Sequence, residues 1–121
     1  MKPLNPSELS SFLERFDTFK DSEIRSLELL SASQMQITLT AQDSARAHDW
    51  ITITFEFSGI EDAKLLPDNQ LNYVDMNDGI SLLYEENKFA FAIGECYNIS
   101  NVKNAPLYIV ASDLKYQEGQ F

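Results

Sequence analysis

Two segments of the chain, Phe89–Ile93 and Leu107–Ala111, are apolar at every position. A strand without a polar face belongs inside a sheet whose two faces are both covered, because an open face would expose apolar side chains to water. The sequence predicts only one long helix, and about 15 helical residues span only about 22 Å. We therefore expect the second face to be covered by the sheet curling over itself or by another protein, such as a second copy in a homodimer.

The predicted helix covers about residues 6–20. Asn5 can act as its N-cap, and Pro6 occupies the first helical position, where a missing N–H costs nothing. An apolar stripe then repeats at helical spacing, formed by Leu9, Phe12, Leu13, Phe16 and Phe19. We expect this stripe to pack on the sheet.

The remainder of the chain predicts strands. Alternation of apolar and polar residues is clearest from Trp50 to Phe57, and Gly59 is expected to end that strand. Other strands are expected near residues 24–30, 35–41, 80–85, 89–95 and 107–112, with a hairpin loop at 86–88. Residues 60–76 leave a strand and an irregular crossing open.

These elements predict an α+β fold in one domain covering residues 1–121. An N-terminal helix packs on a curled, mainly antiparallel sheet of about six to seven strands, which occupies about residues 24–113. A frayed tail is expected at 117–121.

Composition limits the chemistry that the chain can carry. The chain has one histidine and one cysteine among 121 residues, so an internal disulfide cannot form. Most metal sites and catalytic triads need more histidine or cysteine than the chain contains. Neither a secretory signal nor a long apolar run is present, and we expect a cytoplasmic protein that spans no membrane.

Charge is the strongest indication of function. Nineteen acidic residues oppose nine basic ones, a net charge of −10, and residues 49–121 carry −8 of it. This field repels nucleic acid and anionic membranes and attracts basic proteins. We expect a basic protein partner to dock on an acidic surface that includes Glu56, Asp75, Asp78, Glu85 and Glu86.

No catalytic, cofactor-binding or metal-binding residue is predicted. His48 lies in a polar loop without the partners of a general base, and Cys96 follows Glu95, whose carboxylate raises a thiol pKa. The segment from Asp75 to Glu86 has the spacing of a calcium loop, but Ile80 occupies the position that requires glycine. A hairpin turn explains this segment better.

Two segments resemble a known group of proteins. The run Phe19-Lys20-Asp21-Ser22-Glu23-Ile24 precedes an alternating strand, and Trp50 to Ile60 forms a second one. Across residues 19–60 the chain resembles small acidic bacterial immunity proteins of polymorphic toxin systems. The resemblance implies a cytoplasmic inhibitor that binds and blocks one toxin domain, and it transfers no site residue.

Three hypotheses follow from the sequence. The first is a non-enzymatic, acidic protein-binding module of the immunity type. The second is a small enzyme or ligand-binding protein whose curled sheet encloses a cavity, with Glu56 or Asp75 acting beside Tyr73 or Tyr84. The third is a homo-oligomeric structural protein. A deep pocket with inward-facing carboxylates would favour the second hypothesis, and a flat acidic surface the first.

Overall fold

An unclosed, antiparallel sheet of seven strands curls around an apolar core in the computed structural model, which describes residues 1–121. The strands are β1 Lys2–Pro3, β2 Ile24–Ser31, β3 Gln34–Asp43, β4 Asp49–Lys64, β5 Ile80–Glu85, β6 Lys88–Ile93 and β7 Tyr108–Gln120. Their order is β2-β3-β4-β7-β6-β5, and β1 also pairs with β7. The predicted α+β class, with six to seven strands and an N-terminal helix, is confirmed.

The predicted continuous helix over residues 6–20 is wrong in its extent. A 3₁₀ turn at Pro6–Glu8 leads into α1 at Leu9–Arg15, and a second 3₁₀ turn follows at Asp17–Phe19. Thr18 has φ of 52°, which breaks the helical path. The break still leaves Phe16 and Phe19 buried, with ring centroids 5.5 Å apart. No helix in the structure has the length and apolarity required to cross a membrane.

Gly59 does not end β4, contrary to the sequence prediction. Its φ of +67° lies in the left-handed region, and the register with β7 shifts between Ile60 and Asp62. A Cβ at this position would lie 2.0 Å from Ser112 Oγ. The glycine therefore permits a β-bulge at a close approach, and the strand continues to Lys64.

The expected frayed tail at 117–121 is also wrong, because residues 117–120 belong to β7. Gln120 pairs with Ile51 at the beginning of β4, and the ring of Tyr116 contacts Phe12 at 4.8 Å between centroids. Pairing with β4 satisfies the backbone hydrogen-bonding groups of this segment, whose polar sequence had suggested a frayed tail.

Of residues 60–76, left open by the sequence, 60–64 extend β4 and the remainder crosses to the start of β5. After β4 ends, a 3₁₀ helix at Asp68–Tyr73 packs against β2 and buries Leu71. The chain then turns at residues 77–78 and enters β5. Because β2 and β5 are the two edges of the sheet, this crossing lies beside the gap that the curled sheet leaves open.

Both faces of the apolar segments of β6 and β7 are covered by the same chain. The main core of 25 residues, with Phe55, Phe57 and Phe91 at its centre, lies on one face. On the other face, α2 at Ile99–Val102 and Ala105 pack on Ala90, Ala92, Tyr108 and Val110. The second cover is therefore a short helix and loop that the apolar pattern did not reveal. Homodimerisation stays a prediction. The uncovered face that suggested it is not present, because α2 and Ala105 cover it.

Candidate functional site

Four of the five predicted acidic residues lie at the ends of β5. Asp75 and Asp78 precede the strand, Glu85 is its last residue, and Glu86 begins the turn into β6. Six residues of strand separate the two pairs by about 17 Å. None of the five predicted acids forms an ion pair within the protein.

Two of these four carboxylates also have local structural roles. The Asp75 carboxylate accepts a hydrogen bond of 2.9 Å from the Asn77 backbone N–H, which fixes the turn before β5. Glu85 accepts one of 3.0 Å from the Ile99 N–H at the start of α2. Asp78 and Glu86 are exposed, and neither makes a side-chain hydrogen bond. They are the two acids of this group most available to a partner.

The fifth predicted acid, Glu56, lies apart from the other four. It is half-buried on the open face of β4, where Gln36 Nε2 donates to its carboxylate at 3.0 Å. In the β4–β7 register it lies opposite Lys115. Glu56 therefore belongs to a polar ladder across the sheet, together with the Thr38–Thr54 hydroxyl pair at 2.9 Å.

A groove of about 360 Å³, called here the β5 groove, runs between β5 and the segment formed by α1 and the turn after it. Ser10, Leu13, Thr18 and Lys20 line one wall, residues 80–83 of β5 line the floor, and Asp78, Glu95, Cys96 and Tyr97 complete it. The Tyr97 side chain is exposed at 78 % of its surface. The groove therefore presents an aromatic ring and an open strand edge together.

The charge of the β5 groove is strongly negative. Asp78 and Glu95 line it, and Glu14 and Asp17 line an adjoining pocket that shares the wall containing Lys20. Four carboxylates and one ammonium give this surface a net charge of −3. Sequence reasoning did not place Glu14 and Asp17 at this surface, because they come from a segment that only the tertiary fold brings beside β5.

Cys96 and His48 occupy positions without a catalytic arrangement. Burial raises the pKa of the Cys96 thiol above its usual value, so the thiol is protonated at neutral pH. Its backbone N–H donates to Ser81 Oγ at 2.8 Å. His48 is exposed in a turn with φ of 65°, and its backbone N–H donates to the Asp43 carbonyl oxygen at 2.9 Å. Both hydrogen bonds are donated by backbone N–H groups and fix the local chain conformation.

A larger groove, of about 790 Å³, contains two of the residues named in the enzyme hypothesis. It brings together Tyr73 and Asp75, with Leu66, Asn69, Gln70, Val74 and Pro106 around them. Glu56 and Tyr84 lie elsewhere, and the Tyr84 ring packs on Phe89 at 4.7 Å between centroids. With one carboxylate, this groove lacks the second acidic group that paired acid–base chemistry uses.

The one fully buried carboxylate, that of Asp43, is neutralised by two arginines. Arg15 donates from Nε at 2.8 Å and from Nη2 at 2.7 Å, and Arg46 Nε lies 3.3 Å away. Both arginines also donate to Glu118, at 2.9 and 3.0 Å. The hydrogen bond from Arg15 is the main cause that lowers the pKa of Asp43. This ionic cluster joins α1, β3 and β7, and its groups are already paired.

No group of three or more His, Cys, Asp or Glu side chains is arranged to hold a metal ion. Comparison of the chain with protein-family models, curated protein sequences and solved structures found no match.

Proposed function

We propose that this chain is a non-enzymatic, acidic protein-binding module that docks a basic partner protein at the β5 groove. The observation that carries the proposal is the concentration of carboxylates without ion pairs around one open strand edge. Asp78 and Glu86 lie near the two ends of β5, and Glu14, Asp17 and Glu95 surround the groove with only Lys20 opposing them. Such a field accelerates the association of a basic protein and selects against acidic ones.

The filled interior of the sheet supports a binding role over an enzymatic one. Phe55, Phe57 and Phe91 are fully buried on the concave side, so the space that could enclose a substrate holds apolar side chains. The single buried carboxylate, Asp43, is already paired with Arg15 and Arg46. The acids that remain free lie on the surface, which suits recognition of another macromolecule.

Within this proposal the partner is a basic toxin domain that the chain inhibits in the cytoplasm. The resemblance of residues 19–60 to immunity-type proteins suggests this class of partner. Many toxins that attack nucleic acid carry positive charge, and an acidic inhibitor would capture them quickly through electrostatic steering.

The test compares two charge-reversal variants that differ only in location. The site variant combines Asp78→Lys, Glu86→Lys and Glu95→Lys, and the control combines Glu8→Lys, Glu28→Lys and Asp49→Lys, all at exposed positions. Immobilised wild-type protein first captures its partner from an extract of the native cells. Association rates are then measured with the purified partner between about 0.05 and about 0.5 M salt, a range across which the screening length falls from more than about 10 Å to less than about 8 Å.

We expect a basic partner whose association rate with wild type falls steeply as salt is added. The site variant should associate at least about tenfold more slowly at low salt, and the control should stay within about threefold of wild type, because steering acts near the docking surface. An acidic partner, a rate indifferent to salt, or equal effects of the two variants would contradict the proposal.

A further inference from the structure

We infer that the partner inserts an extended, basic segment that adds to the free edge of β5 as a further strand of the sheet. This inference rests on the proposed function and specifies how the partner is held. In strand addition, backbone hydrogen bonds supply affinity and flanking side chains supply selectivity. Each requirement has a counterpart in β5 and the residues around it.

The hairpin geometry determines which backbone groups of β5 point away from β6. Glu86 and Asn87 have φ of 54° and 63°, as in a two-residue type I′ turn, so the flanking residues Glu85 and Lys88 form a hydrogen-bonded pair. Such pairs alternate along the hairpin, and the bond of 2.8 Å from Gly94 N–H to the Gly79 carbonyl oxygen continues the series.

The N–H and C=O groups of the intervening residues, Ile80, Leu82 and Tyr84, therefore face the free edge. Strand β5 pairs with no strand other than β6. These three residues make no backbone hydrogen bond to a turn or loop either. Three donors and three acceptors along this edge thus have no backbone partner within the protein, and residues 80–83 form the floor of the groove beside them.

The free edge of β5 is exposed at Tyr84 and covered at Ile80. Tyr84 is exposed at 40 % of its surface, whereas Ile80 lies beneath α1 and the turn containing Thr18. An incoming strand therefore enters at Tyr84, pairs with Tyr84 and Leu82, and runs into the groove beside Leu13. Its length is limited by the turn that covers Ile80.

The other edge of the sheet, β2, is less suited to strand addition. Its register with β3 shifts twice, between Ile24 and Ser26 and between Leu29 and Ser31. Bulges twist an edge away from regular pairing, and natural proteins use them to block it. In contrast, all six residues of β5 pair with β6 without a shift.

Charge selects a basic segment over a second copy of this chain. A strand added to β5 would lie between Asp78 and Glu95 at one end and Glu86 at the other, with Glu14 and Asp17 near the groove wall. A second copy would bring the same carboxylates against these, and like charges in close register destabilise a strand pair. Lysine or arginine side chains at the ends of the incoming strand would neutralise them.

The probe for this inference is a synthetic peptide of about ten residues that alternates lysine and valine, a pattern that favours an extended, basic strand. One comparison peptide carries N-methyl groups on alternate backbone amides, which removes edge hydrogen bonds and keeps the charge. Another replaces lysine with glutamate. Binding is followed by amide hydrogen exchange and chemical shifts of the wild-type protein.

We expect the lysine–valine peptide to slow exchange of the Leu82 and Tyr84 amides at least tenfold at saturation, without protecting β2. The N-methylated peptide should bind at least tenfold more weakly, and the glutamate peptide should not bind. No binding of the lysine–valine peptide, or protection confined to β2, would overturn the inference. A dimer of the protein alone with protected β5 amides would also overturn it, in favour of a second copy.

A pair of substitutions tests the same edge from the protein side. Tyr84→Pro removes an N–H that β6 does not use, and Tyr84→Val keeps that N–H while removing the phenol. We expect peptide binding to weaken at least tenfold in Tyr84→Pro and to stay within threefold in Tyr84→Val. If Tyr84→Pro does not fold, the N-methylated peptide decides the question.

The two proposals fail separately. If the charge-reversed site variant loses peptide binding while N-methylation and Tyr84→Pro change nothing, the acidic groove is retained and strand addition is wrong. If the site variant binds as tightly as wild type, the proposed docking site is wrong.

Discussion

Arg15 holds Asp43 through two parallel hydrogen bonds, of 2.8 Å from Nε and 2.7 Å from Nη2, although 28 residues separate them in the chain. The Asp43 side chain has no exposed surface, whereas Arg15 keeps 29 % of its side chain exposed. This fork-to-carboxylate geometry is among the stronger polar contacts in proteins. It fixes the end of α1 against the end of β3.

Replacing Asp43 with asparagine should destabilise the fold by about 2–3 kcal/mol. The amide keeps one acceptor oxygen, but it removes the negative charge and places an NH₂ donor where Arg15 Nη2 now donates to the second oxygen. Urea unfolding at neutral pH measures the difference from wild type. The matched control, Glu28→Gln, changes an exposed carboxylate and should cost less than about 0.5 kcal/mol. A loss equally small for Asp43→Asn would show that the pair contributes nothing to stability.

The stability difference between wild type and Asp43→Asn should depend on pH in a defined direction. Arg15 lowers the pKa of Asp43 in the folded protein below its unfolded value of 3.8. The carboxylate therefore contributes its full stabilisation above that value, and the contribution disappears as pH falls through the lower, folded pKa. Unfolding curves of both proteins from neutral pH to about pH 2 should converge only below about pH 4. A difference that is constant across this range would contradict the assignment.

Gly59→Ala should destabilise the protein by about 1–2 kcal/mol, because a left-handed φ disfavours a residue with a Cβ atom. Part of the cost comes from the contact of that Cβ with Ser112 Oγ. The double variant with Ser112→Ala should therefore lose less stability than the two single changes added together. Thermal unfolding of wild type, the two single variants and the double variant completes this double-mutant cycle. Strictly additive losses of stability would show that the close approach of the Cβ to Ser112 contributes nothing.

The Cys96 thiol should react slowly with Ellman's reagent in the folded protein. Burial raises its pKa, so the reactive thiolate is scarce near neutral pH. We expect a rate at least about tenfold below that of the urea-unfolded chain, whose thiol has an ordinary pKa near 8.5. A faster reaction in the folded state would indicate an activated cysteine and would reopen the question of catalysis.

The elements that were predicted correctly depend on neighbours in sequence. Alternation from Trp50 to Phe57 placed a strand correctly, since strand period is a local property. The predicted loop at 86–88 placed the hairpin, although Lys88 already belongs to β6 and the turn has only two residues. The end of β4 was predicted wrongly because the sequence does not distinguish a glycine inside a bulged strand from a glycine that ends a strand. The close approach of Ser112 to Gly59 is seen only in the fold.

The errors and omissions involve contacts between distant segments. Residues 117–120 are ordered by β4, more than 50 positions earlier in the chain, so their own polarity predicted a frayed tail. The cover on Ala90 and Ala92 is a helix of only four residues, too short to show a helical period. Of the predicted acids, Asp78 and Glu86 flank β5, whereas Glu14 and Asp17 reach the same surface only through the packing of α1 and were not predicted there.

The most direct test of the central claim, that the acidic surface around β5 is the docking site, is hydrogen–deuterium exchange of this protein in complex with its captured partner. The account predicts slowed exchange in residues 78–86 and 95–97, with lesser protection in residues 10–20 and none on the polar ladder around Glu56. Protection confined to that ladder, with unchanged exchange along β5, would contradict it.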